Sequence, residues 1–244
     1  MRRRLVLLVL LAAGCSSGVD DPIAPATAKA ATTAATASRD LVVVELFQSQ
    51  GCSSCPPANA NVNALAERPG ILALSFAVTY WDYLGWKDKF ARPAFTERQR
   101  AYSRSGRSDG VYTPQVVING RRALVGASRT GLDRAIAAAG PVRGGPTIAR
   151  DGDALVVGAR PGEAAAKVLV VTYDPRERLV PIRAGENDGK TLPHRNIVTD
   201  LREAGRWTGK AQRFTLAAPA DPALRTAVLV QSGEGGPIIA ASRL

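Results

Sequence analysis

Apolar residues near the start of the folded region follow a pattern that predicts a strand, a helix and a second strand. Residues 41–47 and 71–78 are nearly continuous apolar runs, which are typical of strands buried on both faces of a parallel sheet. Residues 56–68 between them have helical periodicity. The predicted packing face of this helix consists of Val62, Leu65 and Ala66. A right-handed βαβ crossover then brings the ends of both strands to one edge of the sheet.

A hairpin and a closing helix are predicted further along the chain. Asn119-Gly120 separates two apolar stretches, and this dipeptide favours a type I′ turn. Ser128 is placed to cap a helix that runs through residue 139. Residues 92–102 read as an inserted amphipathic helix. We therefore predict an α/β domain over residues 40–141, with a mixed central sheet, flanking helices and a helical insertion.

The pattern changes after residue 141. Short apolar segments alternate with Gly, Pro and Asp from there to the end of the chain, which is typical of short strands joined by turns. Residues 142–244 are therefore predicted to form a mostly β, sandwich-like module.

Residues 1–14 have the pattern of an export signal. Three arginines precede a nine-residue apolar run that is too short to span a bilayer. Small residues before Cys15 favour a bacterial lipoprotein signal in which Cys15 is lipidated, and ordinary cleavage is the alternative. Residues 15–39 are rich in Ala, Thr, Ser and Pro, so we expect a disordered tether. We expect an exported protein of the periplasm or cell envelope, anchored to the membrane through Cys15.

The charge balance is basic. The formal net charge of +11 falls to +8 when residues 1–14 and their three arginines are removed. The excess is spread along the chain and no recognition motif accompanies it, so we expect no nucleic-acid partner.

The clearest candidate chemistry lies in residues 51–57, Gly-Cys-Ser-Ser-Cys-Pro-Pro. A helix N-terminus stabilises a thiolate at Cys52, and Cys55 one turn later can resolve a mixed disulfide. This predicts a redox-active pair that needs no other cofactor, with both sulfurs reachable from solvent. A structural disulfide is one alternative. Half of a metal site is another, although three Cys and one His supply few ligands.

Other candidate residues surround this pair in the predicted topology. The loop after the second strand carries four possible substrate-binding residues, which are Tyr80, Trp81, Asp82 and Trp86. Hydrophobic cover for the inserted helix is the alternative for the aromatic residues, and a structural role is the alternative for Asp82. Glu45 is a charge inside an apolar strand, and it is a candidate to take the proton of Cys55, with a salt-bridged or solvent-reaching side chain at a strand edge as the alternative.

Two features of the second half are predicted to carry no catalysis. His194 is the only histidine, and we interpret it as structural; a Cys52–His194 protease pair is the least favoured hypothesis. Residues 185–189, Gly-Glu-Asn-Asp-Gly, are interpreted as a surface loop, because no helix follows and two acids oppose anion binding.

The order of these elements resembles the thioredoxin fold. More specifically, residues 44–57, 80–88 and 111–115 resemble the exported thioredoxin-like family catalogued as domain of unknown function 1223, and the resemblance covers most of residues 41–244. It implies a thioredoxin-like domain, an extracytoplasmic location and no settled substrate. It also implies that the Thr113-Pro114 bond is cis and faces the dithiol, with backbone groups free to pair with an extended substrate. A trans proline at a sheet edge is the alternative.

Two hypotheses for function follow. The leading one is an exported thiol–disulfide oxidoreductase that acts on exported protein thiols or disulfides, or on a redox partner. The chain departs from ordinary thioredoxins in its Ser-Ser dipeptide, whose hydroxyls can donate hydrogen bonds to a thiolate. The rival is a non-catalytic envelope lipoprotein, in which Cys52–Cys55 is a stable staple and the β-rich module binds a partner or surface polymer.

Overall fold

The computed structural model describes residues 40–244, which form thirteen β-strands and three α-helices. In chain order they are β1 (Val42–Gln48), α1 (Pro56–Asn63), β2 (Ile71–Ala77), α2 (Pro93–Arg104), β3 (Gln115–Ile118), β4 (Arg122–Leu124), α3 (Arg129–Ala139), β5 (Ile148–Asp151), β6 (Ala154–Val157), β7 (Ala166–Asp174), β8 (Arg178–Pro181), β9 (Thr191–His194), β10 (Ile197–Trp207), β11 (Gln212–Thr215), β12 (Arg225–Ser232) and β13 (Ile238–Arg243).

A mixed sheet of eight strands is the centre of the fold, in the order β13-β12-β7-β10-β2-β1-β3-β4. β1 and β2 pair in parallel, as their apolar runs predict, and β3 pairs antiparallel with β1. Every residue of β1 and β2 is buried. The two strands therefore end side by side at one edge, and the loops that follow them meet there.

Each face of this sheet packs against its own helices. One face, with Val44 and Leu46 of β1, packs against α1 and α3. The other face, with Val43 and Phe47, packs against Phe95 and Tyr102 of α2. The alternation along β1 follows from the two-residue period of a strand.

The predicted hairpin and closing helix are confirmed. Asn119 and Gly120 both have positive φ angles, of 51° and 62°, as a type I′ turn requires. The Ser128 side chain accepts a hydrogen bond from the Gly131 N–H at the start of α3.

Helix α1 is shorter than predicted, because it ends at Asn63 rather than at residue 68. At the end of the helix, the Asn63 side chain bonds to the backbone around β9: it donates to the Pro193 carbonyl and accepts from the Arg195 N–H. Tighter turns continue the chain, with the Leu65 N–H donating to the Val62 carbonyl. The predicted packing face is still buried.

Residues 142–244 are predicted to form a module of their own after residue 141. In the structure, four of their strands belong to the same sheet as β1 and β2. β10 pairs in parallel with β2, and the Ser75 N–H donates to the Asn196 carbonyl at 2.9 Å. β7, β12 and β13 extend the same sheet. A three-stranded sheet, β11-β6-β5, packs its Ile148, Leu155 and Val157 against that extension. The buried apolar strand edge of β2 requires a hydrogen-bonding partner, and β10 supplies it.

Strands β8 and β9 form a small separate hairpin. Its Val180, Ile182 and Leu192 pack against the half-buried Trp86 and Phe90. The hairpin thereby lies beside the sheet edge where β1 and β2 end. Among residues 40–244, no helix combines the length and hydropathy needed to cross a bilayer.

Candidate functional site

The turn between β1 and α1 carries both cysteines of the described region. The Cys52 N–H donates to the Ser49 carbonyl at 3.2 Å, and the Gly51 N–H donates to the Ser49 hydroxyl. Cys55 occupies the position before α1, and Pro56 opens the helix with a backbone angle that suits its first turn. The local sequence thus ends the strand and starts the helix within seven residues.

Cys52 and Cys55 form a disulfide. Both have an exposed fraction of 0%, so the expectation that their sulfurs are reachable from solvent is wrong for this conformation. The serines between them are exposed. The difference arises because loops from three other parts of the chain close around the turn, and a reading of the local motif does not include them.

The Thr113–Pro114 bond is cis, as the resemblance implied. It lies next to the cysteine turn, because the Ser54 hydroxyl is 3.3 Å from the Cys52 Sγ and donates to the Thr113 carbonyl, also at 3.3 Å. That carbonyl is consequently paired in this structure rather than free. Pro114 itself is buried.

The aromatic loop after β2 meets the cysteine turn, as the shared strand ends predicted. The Trp81 indole N–H donates to the Thr113 hydroxyl at 2.7 Å, and the Trp86 indole donates to the Gln50 side chain at 2.8 Å. Tyr80 points elsewhere, since its hydroxyl donates to Gln99, and burial raises its pKa. Asp82 accepts the N–H of Asp88. Roles for these residues in substrate binding stay predictions.

Asp88 is a residue of this site that the sequence reading missed. It is buried, and its carboxylate accepts the backbone N–H groups of Gln50 and Phe90, both at 2.9 Å. Burial raises its pKa to about 6, although the two N–H bonds act in the opposite direction. Its place in a run of charged and aromatic loop residues gave no signal of burial.

The loop at residues 185–189 also contacts the cysteine turn, although it was expected to be an ordinary surface loop. The buried Asn187 amide donates to the carbonyls of Gln50 and Cys52, at 2.9 and 2.8 Å. The exposed Glu186 carboxylate accepts from the Ser53 N–H and hydroxyl, at 2.9 and 2.7 Å. The Ser53 N–H, and then its hydroxyl, hold the pKa of Glu186 below its usual range.

Glu45 lies on the α2 face of the sheet, whereas α1 and its first residues pack on the other face. Its carboxylate accepts from the Arg98 guanidinium at 2.6 Å and from the Tyr102 hydroxyl. Both carboxylate oxygens are therefore engaged, which is the salt-bridge alternative. The contacts of Glu45 are with Arg98 and Tyr102 and not with either cysteine, so they do not support the predicted role in proton transfer.

His194 is buried at the end of β9 with its ring edge-to-face against Phe90. Burial, with the nearby Lys89 charge, lowers its pKa to about 4. A neutral, packed imidazole fits the structural role predicted for it. Cys15 and the rest of residues 1–39 lie outside the described residues. Within residues 40–244, His, Cys, Asp and Glu form no group of three or more that could hold a metal ion.

A family model and two solved structures match this chain. A family model described as a protein of unknown function, DUF1223, matches residues 43–231. The solved structure of protein AGR_C_4864 from Agrobacterium tumefaciens is 34% identical, with a TM-score of 0.67, and the match covers 85% of this chain and 95% of that one. HBP35 of Porphyromonas gingivalis is 11% identical with a TM-score of 0.57, over 85% of this chain and 75% of that chain, and so shares only the fold. No curated protein matches. With a family model spanning most of its length, this chain belongs to the DUF1223 family.

Proposed function

We propose that this chain is an exported, thioredoxin-like thiol–disulfide oxidoreductase that acts through Cys52 and Cys55. The observation that carries the proposal is the position of the disulfide. It stands immediately before the first residue of α1 and beside the cis Thr113–Pro114 bond, with Ser54 between the two. The positive end of the α1 dipole favours a thiolate there, which makes one sulfur both a nucleophile and a good leaving group.

The reaction exchanges one disulfide for another. A substrate thiolate attacks the Cys52 sulfur, the Cys52–Cys55 bond breaks, and Cys55 leaves as a thiolate that takes up a proton. A second substrate thiolate then attacks the sulfur of its own chain in the mixed disulfide. The substrate leaves as a disulfide, two electrons remain on the protein, and Cys52 leaves as a thiolate. The same steps in reverse reduce a substrate disulfide.

The surrounding residues have definable parts in this exchange. The Ser54 hydroxyl lies within reach of Cys52 Sγ, so it can turn from the Thr113 carbonyl to a Cys52 thiolate. That turn would also release the Thr113 carbonyl to pair with the backbone of an extended substrate. Trp81 holds the Thr113 side chain and thereby positions this corner.

A trapping experiment tests the proposal. The Cys55→Ser variant keeps the Cys52 thiol, whose thiolate attacks a disulfide of an exported protein while the other substrate sulfur leaves as a thiolate. Without Cys55 the resulting mixed disulfide is not resolved, so such adducts should accumulate in the envelope. The matched control is the Cys52→Ser, Cys55→Ser double variant, in which the adducts formed through Cys52 disappear. Equal adduct patterns in the two variants would contradict the proposal.

A second candidate function is favoured by one observation, the 0% exposure of both sulfurs. In that alternative Cys52–Cys55 is a structural staple of a non-catalytic envelope protein. Equilibration with glutathione separates the two functions. A staple has a reduction potential well below the range of catalytic pairs, about −300 mV or lower, whereas a catalytic pair lies roughly between −270 and −120 mV.

We also propose that the protein is exported through residues 1–14 and anchored by a lipid on Cys15. The support is the order of arginines, apolar run and small residues before Cys15. The mass of the mature N-terminus tests this directly, because acylation adds the mass of fatty chains to a chain that begins at Cys15.

A further inference from the structure

The buried disulfide poses a mechanical problem for any exchange reaction. Cys52 and Cys55 have no exposed surface, yet the two serines between them are exposed. A reagent outside the protein is therefore separated from the sulfurs by neighbouring groups rather than by the depth of the core. Some part of the surroundings has to move before either sulfur can be attacked in line.

We consider the 185–189 loop as the part that moves to expose the sulfurs. It forms the tip of the β8–β9 hairpin, and four hydrogen bonds tie it to the cysteine turn, two accepted by Glu186 and two donated by Asn187. The two residues hold the turn differently. Asn187 is buried and bridges two backbone carbonyls, whereas the Glu186 contacts are exposed and open to replacement by water.

The hairpin is built so that its tip can move while its base stays fixed. The base packs its apolar side chains against Trp86 and Phe90, and Asn63 of α1 bonds to the backbone on either side of His194. The tip is bounded by Gly185 and Gly189, with φ angles of 75° and 76°. Glycines in this region of backbone space can change conformation with little steric cost.

We propose that the 185–189 loop is a gate over the Cys52–Cys55 disulfide, with the Glu186–Ser53 contact as its latch. The inference rests on the proposed function for its purpose, which is to restrict exchange to partners that displace the latch. In the closed state Glu186 occupies the N–H and O–H donors of Ser53. An incoming substrate oxygen, from a carboxylate or a backbone carbonyl, can take the same two donors and so hold the gate open.

The rate of reduction of the disulfide by a neutral phosphine, tris(hydroxypropyl)phosphine, tests the gate. The phosphorus attacks one sulfur, the other leaves as a thiolate, and water then yields the phosphine oxide and two thiols. In the full chain we expect Glu186→Ala to raise this rate about fivefold, since it removes two exposed hydrogen bonds. Asp188→Asn removes the same charge from the same loop, and Asp188 has no part in the latch. We expect its rate to stay within about twofold of the unsubstituted protein.

A double-mutant cycle with Ser53→Ala isolates the contact from other effects of each change. If the latch is real, the Ser53→Ala and Glu186→Ala effects on the rate combine to less than their product. Equal rates for Glu186→Ala and Asp188→Asn, or independent effects in the cycle, would overturn the gate. Failure of the proposed function has a different signature, namely no Cys52-dependent adducts in the trapping experiment while the phosphine rates still respond to Glu186.

Discussion

Two clusters of buried polar groups lie along β1, and they are organised differently. In the middle of the strand, Glu45 is bound by Arg98 and Tyr102, and Gln231 joins the same network through side-chain bonds. Where the strand ends, the cysteine turn is held by side chains that bond to its backbone or to Gln50, from loops far apart in sequence. The first cluster joins β1 to α2 and to β12, another strand of the same sheet. The second fixes the shape of one turn.

The difference separates stability from reactivity. A buried charge that loses its partner is not solvated by water, so breaking one bond of the Glu45 cluster leaves an unpaired charge in the core. The turn at the end of β1 is held mostly by neutral donors at the edge of the fold, and its contacts can open singly. We therefore expect the largest losses of stability from changes in the first cluster, and altered chemistry in a protein that stays folded from changes in the second.

The largest expected effect comes from separating the buried ion pair. Glu45→Gln removes the carboxylate that pairs directly with the buried Arg98, and we expect it to lower the free energy of unfolding by about 3–5 kcal/mol. Denaturant titration measures this. The exposed pair of Arg143 and Asp40 is the control, and Arg143→Ala should cost less than about 0.5 kcal/mol.

A second variant distinguishes the charge from the packing. Glu45→Leu combined with Arg98→Met removes both charges together and keeps similar volume, so it should recover most of the stability lost in Glu45→Gln. Equal losses in the single and the double variants would show that the pair does not act through its charge, and the contrast with the cysteine turn would fail.

The sequence predicts the local elements around these two clusters, but not the long-range contacts that hold the cysteine turn. The βαβ unit, the Asn119-Gly120 turn and the Ser128 cap follow from short-range rules, because each depends on residues within one turn or one strand. The Asn187 bond to the Cys52 carbonyl joins positions 135 apart, and nothing in the composition of either segment signals it. The burial of the sulfurs depends on such contacts, so the motif alone gave the position of the disulfide but not its accessibility.

The next effect concerns two buried titratable groups, Asp88 beside the cysteine turn and His194 at the end of β9, whose pH dependences oppose each other. Asp88 has a pKa raised from 3.8 to about 6, so between these values the folded state holds a proton that the unfolded chain has released. Its contribution to the free energy of unfolding falls by roughly 3 kcal/mol as pH rises through that range. His194, lowered from 6.5 to about 4, stays neutral while the unfolded chain is protonated, so its contribution rises with pH by a similar amount.

Substitution of either residue should reveal the pH dependence of stability that the other contributes. In Asp88→Asn we expect unfolding free energy to rise steeply between pH 4 and 6.5, and in His194→Gln we expect it to fall, each relative to a flatter profile for the unsubstituted protein. Denaturant titrations at a series of pH values measure both slopes. Parallel profiles for all three proteins would mean that these groups do not titrate differently in the folded and unfolded states.

The smallest expected effect on stability comes from Ser54, although its substitution should change the chemistry of Cys52. Its hydroxyl is exposed and makes only 3.3 Å contacts, so Ser54→Ala should change the free energy of unfolding by less than about 0.5 kcal/mol. In a Cys55→Ser background, however, the same hydroxyl lies within hydrogen-bond reach of the Cys52 thiolate. We expect its loss to slow alkylation of Cys52 near neutral pH about threefold, because less thiolate is present.

Ser53→Ala in the same background is the matched control, and its effect should have the opposite sign. Ser53 bonds to Glu186 and not to a sulfur, so its loss loosens the 185–189 loop and should speed alkylation. Two neighbouring serines would then separate thiolate stabilisation from access to the thiol. If both substitutions slow the reaction alike, neither hydroxyl has the specific role assigned to it, and the turn responds only to the polarity of its surface.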